Sequence, residues 1–339
     1  MTRVLVPQLA EPPARPIGGA VLALAGATMG TTWSVRLVAP PTADAPALTA
    51  MAQHELDAVV REMSPWEPLS DLSRYNRAAA GSWTPLPPAF AQVLRGALKV
   101  AEATGGAFDP TLGALVDLWG FGPRPFSGAP PDADDVARAR EAAGWRRLVL
   151  DGDSLFQPGG LRLDLNGIAK GFAVDQVAAA LDRAGARSYL VEVGGELRGT
   201  GAKPDGQPWW VELERPPAAP ARIRAILGND GVRTLVALHG LSVATSGDYR
   251  RFFEHGGRRY AHTLDPATAA PVAHPTVSVT VLDASCMRAD AYATALSVMA
   301  PDAALTFAAE HDLAAMILAH GPAGLEERLS PALSAMLDA

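Results

Sequence analysis

The stretch Leu161-Arg-Leu-Asp-Leu-Asn-Gly-Ile-Ala-Lys-Gly-Phe-Ala-Val-Asp175 constrains the fold more than any other part of the chain. Leu161, Leu163 and Leu165 alternate with polar residues at strand spacing, which sets Asp164 on the opposite face. Asn166-Gly167 follows, a pair that readily takes positive φ. An amphipathic helix is then expected over about 169–184, with Ala173, Val177, Ala180 and Leu181 on one face. A strand, a glycine turn and a helix start bring free N–H groups toward an anion. Lys170 suits such a site as a cation and Gly171 as room for close approach, although the same residues also read as an ordinary structural connection.

At 339 residues the chain suits one large or two smaller domains. With 48% hydrophobic and 19% charged residues it lies outside the disordered range. The formal net charge of -7, with no basic run, argues against nucleic acid as the main partner. Cys286 is the single cysteine, so neither an internal disulfide nor a cysteine metal cage is available, and it reads as a small buried residue. At the N-terminus Glu11-Pro-Pro-Ala-Arg-Pro16 would break a signal helix, and the apolar run from Gly18 to Ala27 is too short to span a bilayer. A cytoplasmic location is expected, or a periplasmic one if a leader is missing.

Residues 1–17 read as a flexible arm ahead of a domain over 18–339. Strands are expected near 21–24 and 32–38, then an amphipathic helix over 47–63 and a short one at 70–76. A long helix is bounded by Pro87-Pro88 and Gly105-Gly106. The Pro/Gly-rich stretch 122–131 looks like a linker before a helix at 133–143. Further strands are expected near 146–150, 155–157, 189–193, 209–214, 222–227, 234–238, 259–264, 276–283 and 314–318, with a proline-rich break at 216–220 and a helix over 288–299. Hairpin-spaced strands mixed with long helices predict an α+β architecture.

Several constellations carry chemistry. Asp290 and Thr294 lie one helical turn apart, and a carboxylate with a hydroxyl offers hard oxygen ligands of the kind Mg²⁺ uses; an N-cap with an exposed threonine is the alternative. His262, where a strand runs into Asp265-Pro266, is a candidate general base or a merely hydrogen-bonded side chain, and Asp265 reads as a turn residue. Glu192-Val-Gly-Gly-Glu196 and Val243-Ala-Thr-Ser-Gly-Asp-Tyr249 read as small-residue loops that either line a cleft or simply turn. Gly105 and Gly106 explain themselves as a helix C-cap, whereas Phe108-Asp109-Pro110 has no such local reason. Trp66, between two prolines, can stack on a planar ligand or pack in the core.

Taken in order, Met29-Gly-Thr-Thr-Trp-Ser, Met63-Ser-Pro-Trp with Ser70 and Asn76, Gly106-Ala-Phe-Asp-Pro, Asp164-Leu-Asn-Gly-Ile-Ala-Lys-Gly, Val193-Gly-Gly-Glu, Thr245-Ser-Gly-Asp-Tyr, His262-Thr-Leu-Asp-Pro and Ala289-Asp-Ala-Tyr-Ala-Thr closely resemble the FAD:protein FMN transferase (ApbE) family. The resemblance runs from about residue 26 to 319. It implies a two-lobed, T-fold-like α+β architecture with mixed and antiparallel sheets flanked by helices, and with FAD and Mg²⁺ in the cleft between lobes. It also implies transfer of FMN from FAD to a threonine or serine hydroxyl of an acceptor protein, with release of AMP. By that match Met29, Trp66, Ala107, Phe108, Asp109, Asp164, Lys170 and Leu264 fall on flavin-contact positions. Asp290 and Thr294 fall on metal positions, with the backbone carbonyl of Gly167 as a third ligand, and His262 falls on the position of the general base.

The chain departs from the family in placing Ala293 where some members carry a second aspartate, Trp66 where tyrosine is usual, and no lipidation cysteine near its start. A monomer without a membrane span is expected. An FAD pyrophosphatase that uses water as acceptor, and a flavin carrier without turnover, are the competing functions.

Overall fold

The structure, a computed structural model, describes residues 2–7, 13, 15–16, 18–215, 233–322 and 324–337. The expected strand at 222–227 and the proline-rich break at 216–220 lie outside them. The core element is an eight-stranded sheet of Ala20–Thr28, Thr31–Ala39, Tyr189–Val193, Glu196–Thr200, Leu241–Gly247, Thr276–Asp283, Ala314–Gly321 and Gly324–Leu329. These strands neighbour one another in chain order and every pairing is antiparallel. The sheet is thus a meander interrupted by insertions, and the insertions carry the helices.

Between Thr31–Ala39 and Tyr189–Val193 the chain leaves to form helices Ala45–Met63, Pro88–Ala103 and Ala169–Arg183. They bury their apolar faces (Leu56, Val59 and Met63; Phe90, Leu94 and Ala97; Phe172, Val177 and Leu181) against Trp33, Val35 and Leu37 of the sheet. Farther along, period-2 alternation sorts side chains to two faces. Ala244, Val279, Val281, Ala315 and Ile317 meet helices Cys286–Val298 and Pro301–Glu310. Val243, Leu282, Ala314 and Met316 meet a small sheet of Thr2–Leu5, Arg233–Leu238 and Trp209–Glu212. The α+β expectation holds. Within the segment read as a flexible arm, however, Thr2–Leu5 pairs in parallel with the Arg233–Leu238 strand, and Leu5 is fully buried.

Two sequence expectations change at the Leu161 stretch. Its leucines are buried in alternation with Asp164, as expected, but no ladder strand forms; the only bridge there joins Leu112 to Arg162. Its backbone groups are satisfied otherwise: the Asn76 amide both accepts from Leu163 N and donates to Leu163 O, Gln157 Nε2 donates to Leu161 O, and Asp164 N donates to Pro110 O. The Asn166-Gly167 turn also forms without positive φ at either residue, because Asp164 takes Asn166 N–H and Nδ2 on its two carboxylate oxygens.

Three strands of this sheet were not expected, Glu196–Thr200, Leu241–Gly247 and Gly324–Leu329. The second is buried on both faces and carries small polar residues, so Thr245, Ser246 and Gly247 show no alternation to read. Gly194 and Gly195, both at positive φ, form the two-residue hairpin turn into the first.

Helices Ala169–Arg183 and Cys286–Val298 approach closely at Gly171, where an added Cβ would lie 2.2 Å from Cys286 O and 2.8 Å from Asp290 Cβ. The room expected for a ligand at Gly171 is therefore taken by the neighbouring helix. Gly171→Ala gains at most ~1 kcal/mol of helix propensity, but the contact it meets is backbone. Overpacking of about 1–3 kcal/mol should win, so denaturant unfolding should show a lower midpoint at unchanged slope. An equal or higher midpoint would contradict the close contact.

Candidate active site

A cavity of about 1030 Å³ opens where the Ala169–Arg183 and Cys286–Val298 helices, the hairpin turns of the sheet and the 245–264 segment converge. Met29, Trp66, Ala107, Phe108, Asp109, Asp164, Gly167, Lys170, His262, Leu264, Asp290 and Thr294 all line it. Residues from position 29 to 294 are thus gathered in one place, and each owes its position to local chemistry.

Met29 and Gly30 both have positive φ (49° and 70°) and make a two-residue turn between Thr28 and Thr31. Met29 is one of few non-glycine residues so held among those described, a conformation that costs energy without a Cβ-free residue. Trp66 is 44% exposed on the Ser64–Ser70 loop. That loop is pinned because Ser70 Oγ donates to Ser64 O at 2.7 Å while capping the Asp71–Tyr75 helix through Ser73 N. The Trp66 ring thus faces the cavity, 5.9 Å from the Arg251 guanidinium, and is not part of the core.

Asp109 lines the cavity, but its carboxylate is used structurally: Oδ1 accepts from Thr111 N and Oγ1, and Oδ2 accepts from Trp145 N. Burial pushes its carboxyl above the usual range, and these hydrogen bonds pull it back. Asp164 is likewise pushed up by burial against its bonds to Asn166. These two carboxylates brace turns whose neighbouring residues Ala107, Phe108 and Gly167 also line the cavity.

Lys170 Nζ stands 2.6 Å from Glu196 Oε1, in an ion pair whose glutamate side chain is 1% exposed. Burial opposes the lysine charge, but Glu196 and Asp290 together outweigh it and the ammonium is held above its usual value. Glu196 is pushed up by burial, with Lys170 opposing and Asp290 adding to the rise. Its Oε2 has no hydrogen-bond partner among the described residues. In the sequence Glu196 ends a small-residue loop that either lines a cleft or simply turns; nothing local marks it as the partner of Lys170.

Asp290, 4% exposed, accepts Gly171 N–H on Oδ2 at 3.0 Å and is pushed up by burial, with Lys170 opposing. Thr294 follows one turn later, with Oγ1 3.2 Å from Ser246 Oγ. Gly167 lies against that hydroxyl so closely that a Cβ would come within 2.8 Å of it. Asp290 is not an N-cap; Ser285 is, accepting from Arg288 N. Among the described residues no group of three His, Cys, Asp or Glu could form a protein-only cage. One carboxylate and one hydroxyl, with the Gly167 backbone beside the hydroxyl, fit a cation such as Mg²⁺ that takes its other ligands from water and phosphate. Ala293 is fully buried with Ala289 and Leu296 against the sheet, and it is not a cavity residue.

His262 donates Nδ1–H to Arg251 O at 3.1 Å; a carbonyl only accepts, so Nδ1 carries the proton and Nε2 keeps a free lone pair. Burial first, then the nearby Arg251 charge, lowers its pKa to about 4, so the ring is neutral at pH 7. Arg250 and Arg251 also line the cavity and were not singled out from sequence. Arg250 is held by Gly194 O and Glu214; Arg251 donates to Phe121 O and forms no ion pair among the described residues.

The sequence profile of the ApbE family matches residues 29–317. The FAD:protein FMN transferase of Haemophilus influenzae is 34% identical over 333 residues, covering 94% of this chain and 92% of that protein. The Klebsiella pneumoniae FAD:protein FMN transferase is 36% identical over 95% of this chain and 91% of its own length. The apo crystal structure of the Pseudomonas stutzeri flavinyl transferase ApbE superposes with a TM-score of 0.85 at 37% identity, covering 95% of this chain and 98% of that one. The flavin transferase ApbE of Vibrio cholerae gives 0.85 at 33% identity, covering 94% and 100%. The chain belongs to the ApbE family and is an enzyme of the transferase class.

Removing Glu196 would leave the Lys170 ammonium without its partner. Glu196→Ala should therefore cost about 2–3 kcal/mol, less than a fully buried pair because Lys170 is 31% exposed. Glu196→Gln, which keeps an acceptor, should cost less. Denaturation midpoints of the two variants that fall together would argue against the ion pair as the reason for this glutamate.

Proposed function

We propose that this chain transfers FMN from FAD to a threonine or serine hydroxyl of an acceptor protein, with Mg²⁺, and releases AMP. The observation that carries the reading is a dinucleotide-sized cavity that joins apolar and aromatic walls to cations, hard oxygen donors and a neutral imidazole. Met29, Trp66, Phe108 and Leu264 offer surfaces for a flavin ring. Arg251 and Arg250 offer charge to a pyrophosphate, together with Lys170, whose own charge is shared with Glu196.

Asp290, Thr294 and the Gly167 carbonyl would hold the metal ion, which when bound supplies Lewis-acid neutralisation of pyrophosphate charge. The acceptor hydroxyl oxygen attacks the phosphorus of the FMN half, and its proton passes to His262 Nε2. A new phosphoester bond forms as the P–O bond to the AMP phosphate breaks, and AMP leaves with the electron pair. Positioning and charge stabilisation supply most of the acceleration in such transfers.

Incubation with FAD, Mg²⁺ and a candidate acceptor should add the mass of FMN to the acceptor and yield AMP. Free FMN and AMP with an unmodified acceptor would establish hydrolysis instead. Asp290→Ala should lose turnover while retaining a native circular dichroism spectrum, and excess chelator should abolish wild-type turnover. Full activity in chelator would rule out the cation.

The lowered pKa of His262 fixes the sign of a pH test. The neutral ring is the active form, so the rate should rise with pH through the value of the histidine and then level off. For kcat/KM of FAD, which reports the free enzyme, that rise should lie near 4 and not at the ordinary 6.5. In kcat the rise should move upward, because bound pyrophosphate favours the charged ring. His262→Ala should lower kcat by roughly 10²–10⁴-fold with little change in FAD affinity. Turnover near the wild-type value would remove this residue from the mechanism.

A further inference from the structure

Next to the reaction cavity lies a second hollow of about 320 Å³, walled by Phe121, Phe126, Phe252 and Phe253 and flanked by Arg250 and Arg251. Phe121 and both arginines belong to both spaces. The aromatic wall is built deliberately: the Phe126 and Phe253 ring centroids are 4.6 Å apart, and those of Phe121 and Phe253 are 5.7 Å apart. Phe126 comes from the Pro/Gly-rich stretch that reads as a linker in the sequence. It folds over Gly120, where a Cβ would sit 2.1 Å from its ring. Phe126 and Phe252 nevertheless remain 37% and 45% exposed, so the hollow keeps an apolar surface open to an incoming group.

Its rim is positive on a chain whose net charge is -7. Arg250 and Arg251 line it, and Arg259 lies 3.9 Å from the Phe252 ring; Arg258, the preceding residue of the Arg258–Ala261 strand, is on the other face of the hairpin, 5.1 Å from the Tyr260 ring. Arg251 and Arg259 donate to the carbonyls of Phe121 and Asp248. Arg251, Arg258 and Arg259 form no ion pair among the described residues. Arg250 is paired with Glu214, and Glu254 stands opposite Arg259 in the hairpin register without closing a pair.

We propose that this hollow and its arginine rim seat the acceptor protein, as an extended segment that carries an apolar side chain and a carboxylate next to the target hydroxyl. The inference rests on the FMN-transfer reading and says where the second substrate binds. The Phe121 ring meets His262 edge-on with centroids 6.2 Å apart. A hydroxyl residue at His262 and a neighbour one or two residues away, about 3.8–7 Å along an extended chain, can therefore occupy the two spaces at once. The apolar neighbour fills the aromatic walls, and the carboxylate meets the Arg259 guanidinium beside Phe252.

The test uses FAD-loaded protein in chelator, so that no transfer occurs, and fluorescence anisotropy of short labelled peptides with a central threonine. The parent peptide carries a leucine and an aspartate beside it; one control has Leu→Ser and another Asp→Lys. Phe126→Ala and Arg259→Glu should each weaken the parent peptide by about tenfold and leave FAD affinity unchanged. Arg259→Glu should restore binding of the lysine control. Equal binding of parent and control peptides by the wild type, or variants that bind the parent as the wild type does, would overturn the proposal. Adding Mg²⁺ then separates the two readings: a peptide that binds as expected yet never gains FMN speaks against transfer and not against docking.

Discussion

The site depends above all on how the Ala169–Arg183 helix grips the start of the Cys286–Val298 helix. Asp175 on the first accepts from Cys286 N and Met287 N at 3.1 Å, from Ser285 Oγ at 2.9 Å and from Arg198 Nη1 at 2.6 Å. A carboxylate at a helix N-terminus satisfies free N–H groups and complements the helix dipole. Charge-assisted bonds of this kind are worth about 1.5–3 kcal/mol each. One turn earlier on the same helix, Gly171 donates to Asp290 and leaves room for the Cys286 carbonyl. Two residues four apart on one helix thereby fix Asp290 against Lys170, and with it Thr294 against Gly167. The buried Cys286 sits in this contact as a small residue, its thiol pushed well up by burial, as its sequence context suggested.

The same contact sets the electrostatics of the cavity. Lys170 lies among two carboxylates, one bonded to it and one close by, in a region where burial penalises every charge. A lone lysine there would tend to lose its proton, and paired with Glu196 it stays charged. Arg250 and Arg251 add positive charge to the cavity wall: Arg250 is bonded to Gly194 O and Glu214 near this pair, and Arg251, whose carbonyl accepts from His262, forms no ion pair among the described residues. The cavity thus combines a region of balanced buried charge with an arginine-bearing wall.

Much of this was legible in the chain. Helices with proline starts and glycine stops, as at Pro88–Ala103, appeared within a few residues of their expected ends because capping is local chemistry. Tyr189–Val193 and Thr276–Asp283 were readable from their apolar runs. Leu241–Gly247 was not, because a strand buried on both faces by small polar residues carries no alternation. The Leu161 stretch shows the reverse: its alternation is real, but Asn76 and Gln157 side chains replace the neighbouring strand. Thr2–Leu5 was invisible because its partner strand lies more than two hundred residues away.

By itself the sequence determined the α+β class and most element positions, since periodicity and capping are local, while the residues that meet in the cavity were named through the ordered motifs shared with the ApbE family. It also made Asp290 and Thr294 neighbours, since residues four apart on a helix share a face. Only the tertiary structure decided what those residues do to one another. It paired Lys170 with Glu196, used the Asp109 carboxylate to brace a turn, gave the space at Gly171 to a helix, and lowered the pKa of His262 to about 4. It also brought Arg250 and Arg251 to the cavity wall. Burial and long-range charge create these properties, and neither exists until segments far apart in the chain are packed together.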